Sequence, residues 1–272
     1  MSNLKDFTNL SLNQITTERL NLREAVELCV RHEIPSIGLW RNKVSEFGLA
    51  ESVKLIKDAG IQVSSLCRGG FFPAANGIER FQKMEDNLRA IDEACTLGTK
   101  VLVLVCGGLN GCSLVDARKM IAEGIENIAS YAADAGIKLG IEPLHPMFAA
   151  DRSIICSLCE ANDLAEKFDE TVGVVIDVFH LWFDSRIYQE IERAGKRILG
   201  FHVSDWKVPL PDILLSRSMM GDGVIELKKM RQAVEAAGYS SAIEVEIFNQ
   251  KIWETNPDEV VSLIKERYLS CV

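Results

Sequence analysis

No stretch of the 272 residues approaches the roughly 18 apolar residues in a row that a bilayer-spanning helix needs. The opening Met1-Ser2-Asn3-Leu4-Lys5-Asp6 lacks the basic block followed by an apolar block that marks a secretory leader. The expectation is a cytoplasmic protein with no membrane partner. Positive charge is also short: 30 Lys and Arg stand against 39 Asp and Glu, a net charge of −9. Nucleic-acid binding is driven by cationic side chains meeting phosphates, so that class of function is disfavoured. No Pro-, Gly- or Ser-rich linker and no low-complexity tract interrupts the chain, so a single domain over 1–272 is expected. Cysteine is present, eight times, but a chain this long is not built on a disulfide scaffold. Cys67 and Cys106 fall in or beside apolar runs, where a free thiol behaves as a small hydrophobe. The pairs Cys156-x-x-Cys159 and Cys106/Cys112 have no second half to complete a zinc cage.

Apolar residues make up 47% of the chain and charged residues 25%, an ordinary globular balance. Strand-like runs over 7–12, 36–40, 62–66, 100–105, 138–142, 172–177, 198–204 and 242–248 alternate with helical patterns over 22–32, 49–59, 78–97, 114–135, 159–168, 187–194, 227–237 and 257–269. The strands read as short and apolar throughout, as a parallel sheet covered on both faces requires. Gly60, Gly136 and Gly238, and in the same way Gly98, each stand where a helix stops and a strand soon begins. Glycine suits that place because a left-handed cap costs it no Cβ clash. Eight βα units predict a closed (β/α)8 barrel in preference to an open doubly wound sheet. In a barrel the strand C-termini share one mouth.

That mouth collects chemistry. Glu142 ends the fifth strand, Asp177 the sixth, His202 lies in the seventh and Glu246 in the eighth. Three carboxylates and an imidazole would form one site for a divalent cation. Oxygen-rich sets suit Mn²⁺, Mg²⁺ or Co²⁺, and the single nitrogen keeps Zn²⁺ and Fe²⁺ open. A rim of ion pairs is the bland alternative, but few basic residues lie nearby: Arg68, Lys207 and Arg217. Glu244 shares the face of Glu246, because strand side chains alternate, and is expected a layer deeper or paired with Lys or Arg. Of four histidines, His145, His180 and His202 fall at or just past strand ends; His32 reads as surface. The four tryptophans also follow strand ends. Trp40 and Trp206 are candidates for an apolar wall against the ligand, whereas Trp253 reads as loop packing. His180, three residues after Asp177, would hydrogen-bond substrate. Arg217, in the long connection over 207–223, would sit where an oxyanion grows. The Arg68-Gly69-Gly70-Phe71-Phe72-Pro73 segment reads as a second loop over the mouth.

These motifs resemble the xylose isomerase-like TIM-barrel superfamily of sugar and sugar-phosphate isomerases and epimerases. The likeness rests on Ile141-Glu142-Pro143, Asp177-x-x-His180, Phe201-His202-Val203-Ser204-Asp205, Arg217…Gly221-Asp222-Gly223 and Glu246-Ile247-Phe248. The resemblance implies that Glu142, Asp177, His202 and Glu246 bind one divalent metal, Mn²⁺ first among candidates. It implies that Glu142 and Glu246 act as acid and base on opposite faces of a sugar, sugar phosphate or keto-polyol. His180 and Arg217 would then contact substrate, with His145, Trp40 and Trp206 lining its site. Two positions depart from the family pattern: Leu144-His145 after the glutamate-proline pair, and Trp40 on the second strand. The implied reaction is isomerisation or epimerisation through a metal-stabilised enediolate. The rivals are a dehydratase on the same scaffold, a metal-dependent endonuclease and a non-catalytic sugar-binding barrel. Barrels of this type often pair, so a homo-oligomer is one expectation.

Overall fold

The computed structural model describes residues 6–272. Eight parallel strands close into a barrel in sequence order: β1 (Leu10–Asn13), β2 (Ser36–Trp40), β3 (Gln62–Gly70), β4 (Val101–Val105), β5 (Lys138–Ile141), β6 (Val172–Asp177), β7 (Ile198–Val203) and β8 (Ile243–Val245). Pairing of β1 with β8 completes the ring, Leu12 opposite Val245. The helices are α1 (Leu22–Arg31), α2 (Arg41–Phe47), α3 (Leu49–Ala59), α4 (Gly77–Leu97), α5 (Leu114–Asp134), α6 (Leu158–Ala165), α7 (Val178–Leu181), α8 (Ile187–Ala194), α9 (Leu227–Ala236), α10 (Gln250–Glu254) and α11 (Pro257–Cys271).

Local chemistry sets the helix ends. Asn21 and Glu24 cap each other's backbone amides at the start of α1. Asn76, Ser113 and Ser157 accept amide hydrogen bonds at the starts of α4, α5 and α6. Gly60 and Gly98 stop α3 and α4 in the left-handed conformation, as expected of a residue without a Cβ.

The strands are less uniformly apolar than they read in sequence. Their outward residues, such as Leu12, Ile37, Leu39, Leu102, Leu104, Leu139, Ile141, Phe201 and Val245, are fully buried between barrel and helices. Each contributes about 1.5–3 kcal/mol relative to exposure. The inward residues alternate with them. Cys67, Val103 and Val175 form a small separate cluster inside the barrel. Ser11, Asn13, His202 and Glu244 are polar residues that are also fully buried or nearly so.

Four sequence expectations shift. The first strand begins at Leu10 rather than Phe7, whose carbonyl closes a turn on the Leu10 amide and whose ring packs on Tyr268. Strand β3 runs on to Gly70, so Arg68 belongs to a strand and not to a loop. Phe72 is core, its ring against Gly124 of α5, where a Cβ would collide with it. The short helices α2, α7 and α10 carry too few residues for a helical period to show. Among the described residues no helix is long and apolar enough to cross a membrane.

Candidate metal centre

The mouth side chains are placed by strand parity and register. The Glu142 amide, just past β5, donates to the Leu104 carbonyl at 3.1 Å; that of Glu246, just past β8, donates to the Val203 carbonyl at 3.0 Å. Asp177 pairs with His202 across β6 and β7, and His202 with Glu244 across β7 and β8. A single 3-10 turn after β1 pins the Glu246 segment. Thr16 Oγ1 donates to the Val245 carbonyl at 2.8 Å and accepts from the Ile247 amide at 2.9 Å. As a result the ligand-competent atoms of Glu142, Asp177, His202 and Glu246 all lie within 4.8 Å of one another, every one on a buried residue.

His202 Nδ1 lies 3.3 Å from Glu142 Oε1 and 3.7 Å from Glu246 Oε2, while its Nε2 lies 3.6 Å from Glu244 Oε2. Among the described residues neither ring nitrogen nor Glu142 Oε1 has a hydrogen-bond partner. A buried polar atom without a partner costs about 1–3 kcal/mol. Several of them facing one another mark a place for a further group. Charge gives its sign. Glu142, Asp177, Glu244 and Glu246 are four buried carboxylates, against the guanidinium of Arg217 and at most one charge on His202. The residues present therefore fit a divalent cation held by three carboxylates and an imidazole.

Titration follows the same crowding. Burial raises the Glu142 pKa, and the Glu246 and Asp177 charges add to it, with His202 opposing. Burial would also raise Glu246, but the Arg217 and His202 charges outweigh it and hold it at about 2. For His202 burial pushes down, yet Glu244, Glu142 and Glu246 together carry it well above the usual imidazole range. His180, with burial dominant, falls to about 3 and stays neutral.

Arg217 reaches deeper than a loop arginine was expected to. Its Nη1 donates to Asp177 Oδ2 at 2.6 Å and to Glu246 Oε2 at 3.0 Å, and its Nη2 lies 3.1 Å from His180 Nε2. The guanidinium is sandwiched between the rings of Phe179 and Phe248, at 4.7 and 4.8 Å. It is thus an internal counter-ion of the cluster.

Glu244 lies in the deeper layer, as its parity predicts, but its partners are neither Lys nor Arg. Asn13 Nδ2 donates to Glu244 Oε2 at 3.0 Å, and the carboxylate faces His202 Nε2. A carboxylate behind a ligating imidazole sets ring orientation and tautomer. Trp40 Nε1 in turn donates to Asn13 Oδ1 at 2.8 Å. Gly38 on β2 makes room for this line, since a Cβ there would collide with Glu244 Oε2.

A small cavity above the cluster is lined by Trp40, Arg68, Glu142, His180, Arg217 and Glu246, and by Arg152. His145 and Trp206 are not among its lining residues. The His145 ring packs on Phe183 at 4.7 Å and Trp206 at 5.3 Å, and only the His145 amide reaches the site, donating to His180 Nδ1 at 3.2 Å. Trp206 stacks on Phe179 at 4.8 Å and so backs the wall beneath Arg217. Lys207 is exposed and faces a different cleft, under the long connection. His32, at the end of α1, is partly exposed and pairs with Asp258 at 2.8 Å. Trp253 packs on Phe248 as loop filling. All eight cysteines are free. Sequence reading missed Asn13 and Arg152. Asn13 carried a signal, a polar residue closing a strand whose inward neighbour Ser11 is also polar. Arg152 carried none, since it lies in the irregular connection after β5.

The chain belongs to the xylose isomerase-like TIM-barrel family, whose profile matches residues 24–267. An inosose isomerase of Halalkalibacterium halodurans is 23% identical over 154 residues, 54% of this chain and 52% of that protein. A 3-dehydroshikimate dehydratase of Pseudomonas aeruginosa is 28% identical over 174 residues, 62% of this chain. These matches span about half of the first relative and about a quarter (26%) of the second. A crystallised protein of Sinorhizobium meliloti shares 46% identity with a TM-score of 0.95, over 98% of this chain and 99% of its own. The IolI protein, solved with a bound zinc atom, shares the fold at 22% identity and a TM-score of 0.85, over 96% of this chain and 97% of its own. The named curated relatives are enzymes, an isomerase and a dehydratase.

Proposed function

We propose that this chain is a divalent-metal-dependent isomerase or epimerase of a sugar, sugar phosphate or keto-polyol, working by proton transfer beside a carbonyl. The carrying observation is the convergence of Glu142, Asp177, His202 and Glu246 within 4.8 Å at the barrel mouth. Those four residues would hold the metal, which when bound supplies Lewis acidity to a substrate carbonyl and its neighbouring hydroxyl. Mn²⁺ is the proposed ion because three of the four ligands are carboxylates. The IolI protein was solved with a bound zinc atom, which keeps Zn²⁺ as the alternative.

The chain's own groups do the rest. Glu246, ionised beside Arg217, takes the proton from the carbon next to the carbonyl. Glu142 returns a proton to the opposite face for epimerisation or to the adjacent carbon for isomerisation. Arg217 offers charge where the oxyanion grows, and neutral His180 orients a hydroxyl. Trp40 forms an apolar wall. The cavity over the cluster holds about 40 Å³ and adjoins a cleft of about 440 Å³ that shares Trp40, Cys67 and Arg68 with it. Leu214 of the long connection is among its lining residues. The setting we propose is cytoplasmic, with a small-molecule partner and no nucleic acid.

A second reading is loss of water from the same enediolate, favoured by the 28% identity to a dehydratase. The deciding experiment is metal analysis of the purified protein, then incubation with a panel of ketoses and keto-acids in deuterated water. Uptake of deuterium at one carbon without mass loss supports isomerase or epimerase action. A product lighter by one water supports the lyase. Neither, with metal present, overturns the enzymatic reading.

A further inference from the structure

Among the described residues most guanidinium groups have carboxylate partners; the exposed Arg23 lies over Phe47, and Arg197 donates to backbone carbonyls. Arg41 bonds Asp86 and Glu93, Arg193 bonds Asp163, Glu166 and Glu190, and Arg217 bonds Asp177 and Glu246. Arg68 and Arg152 differ. Both are half-buried and both line the cavity over the metal centre. Yet among the described residues neither side chain donates a hydrogen bond or stands within ion-pair distance of a carboxylate. Their flat faces are occupied. Arg68 lies over the rings of Trp40 and Phe71, at 5.6 and 4.6 Å, and Arg152 over Phe148 at 5.6 Å. Stacking fixes the planes and leaves the N–H forks free.

Two such groups in one cavity repel each other. The Arg68 pKa is lowered by burial first, and Arg152 lowers it further. Half-burying two like charges without partners is unfavourable unless something of opposite sign joins them. The carboxylates of Glu142 and Glu246 act on Arg68 only at longer range, and a metal at the cluster would take up their charge. Strand β3 supplies Arg68 and the connection after β5 supplies Arg152, so the two flank the end of β4. That is a different part of the mouth from Arg217, which arrives beside β6 and β8.

We propose that Arg68 and Arg152 form an anion seat, and that the substrate carries a carboxylate or a phosphate held there by charge-assisted hydrogen bonds. The inference rests on the metal-dependent reading above and narrows its substrate class from sugars at large to anionic sugars or keto-polyols. It also gives a use to the departures on this side of the mouth. Trp40 supplies one of the faces on which Arg68 lies, and the connection that begins Leu144-His145 delivers Arg152.

The test uses three six-carbon ketoses: fructose, fructose 6-phosphate and 2-ketogluconate. Each is titrated calorimetrically into the Mn²⁺-loaded protein and into an Arg68→Met/Arg152→Met variant, which keeps unbranched side chains against the rings and removes both forks. The expected result is binding of at least one anionic ketose about tenfold or more tighter than fructose, weakened by added salt, with the gap lost in the variant. A gain for the phosphate only, or for the carboxylate only, identifies the group. Equal binding of all three, or a gap that survives in the variant, overturns the seat. Circular dichroism and Mn²⁺ stoichiometry establish that the variant is folded and loaded; if it is not, the two single variants take its place. Should no ketose bind, inorganic phosphate and acetate serve as probes. At least one should raise the wild-type melting temperature and not the variant's, and no shift with either overturns the proposal. Deuterium uptake is read on the same samples. A binding gap without exchange sinks the isomerase reading and leaves the seat; exchange on fructose without a gap does the reverse.

Discussion

The two halves of the barrel mouth are made of different chemistry. The ends of β5, β6, β7 and β8 supply Glu142, Asp177, His202 and Glu246, a set of acids around one imidazole. The β1–β4 half carries Asn13, Trp40, Cys67, Arg68 and Val105 near its strand ends, with no carboxylate among them. One side is suited to a cation and the other to apolar surface and an anion. One line of side-chain hydrogen bonds runs between them from Trp40 through Asn13 to Glu244, whose carboxylate faces His202. The contrast teaches that strands β5–β8 gather the acidic groups and strands β1–β4 the apolar and basic ones, and Glu244 lies between the two sets.

Three substitutions test that division, from the most to the least severe. Glu246→Gln on the acidic side should lower turnover by about 10²–10⁴-fold, the usual worth of a general base, with far-ultraviolet dichroism unchanged. Metal stoichiometry measured beside the rate separates lost acid–base chemistry from a lost ligand. Wild-type turnover in this variant would remove Glu246 from its role. Glu244→Gln should weaken metal affinity by about 10–100-fold, read by competition with a chelating dye, because the carboxylate orients His202 from behind. Unchanged affinity would reduce Glu244 to a structural residue. Trp40→Phe keeps the ring and deletes the indole hydrogen bond to Asn13, worth about 1 kcal/mol or roughly fivefold. If the two halves are as separate as they look, that loss falls on KM for substrate. A fall in metal affinity as large as that of Glu244→Gln would show that the line from Trp40 couples them.

Much of the metal side was legible in sequence, because each of its residues ends an apolar run and strand ends in a barrel face one way. The histidines divided less cleanly. His180 and His202 reach the site, but the His145 ring turns away to stack with Phe183 and Trp206. Strand-end position fixes where a backbone goes, and one residue into an irregular loop the side-chain direction is lost. Arg217 was legible as a mouth residue but not as an internal counter-ion, since loop conformation decides how far a long side chain reaches. Glu244 was legible in depth by alternation, whereas its partners come from β1 and β7, far from it in the chain.

The order of apolar runs, the glycine caps and the acidic and imidazole residues at strand ends follow from local chain chemistry, so the sequence alone determined a βα barrel whose mouth is rich in carboxylates and imidazoles. Tertiary structure decided the neighbours that sequence distance hides: Asn13 with Glu244, Arg217 with Asp177, and Arg68 in one cavity with Arg152. Periodicity reports which face a side chain takes along its own element. Closure of the barrel and the path of its loops decide which faces meet.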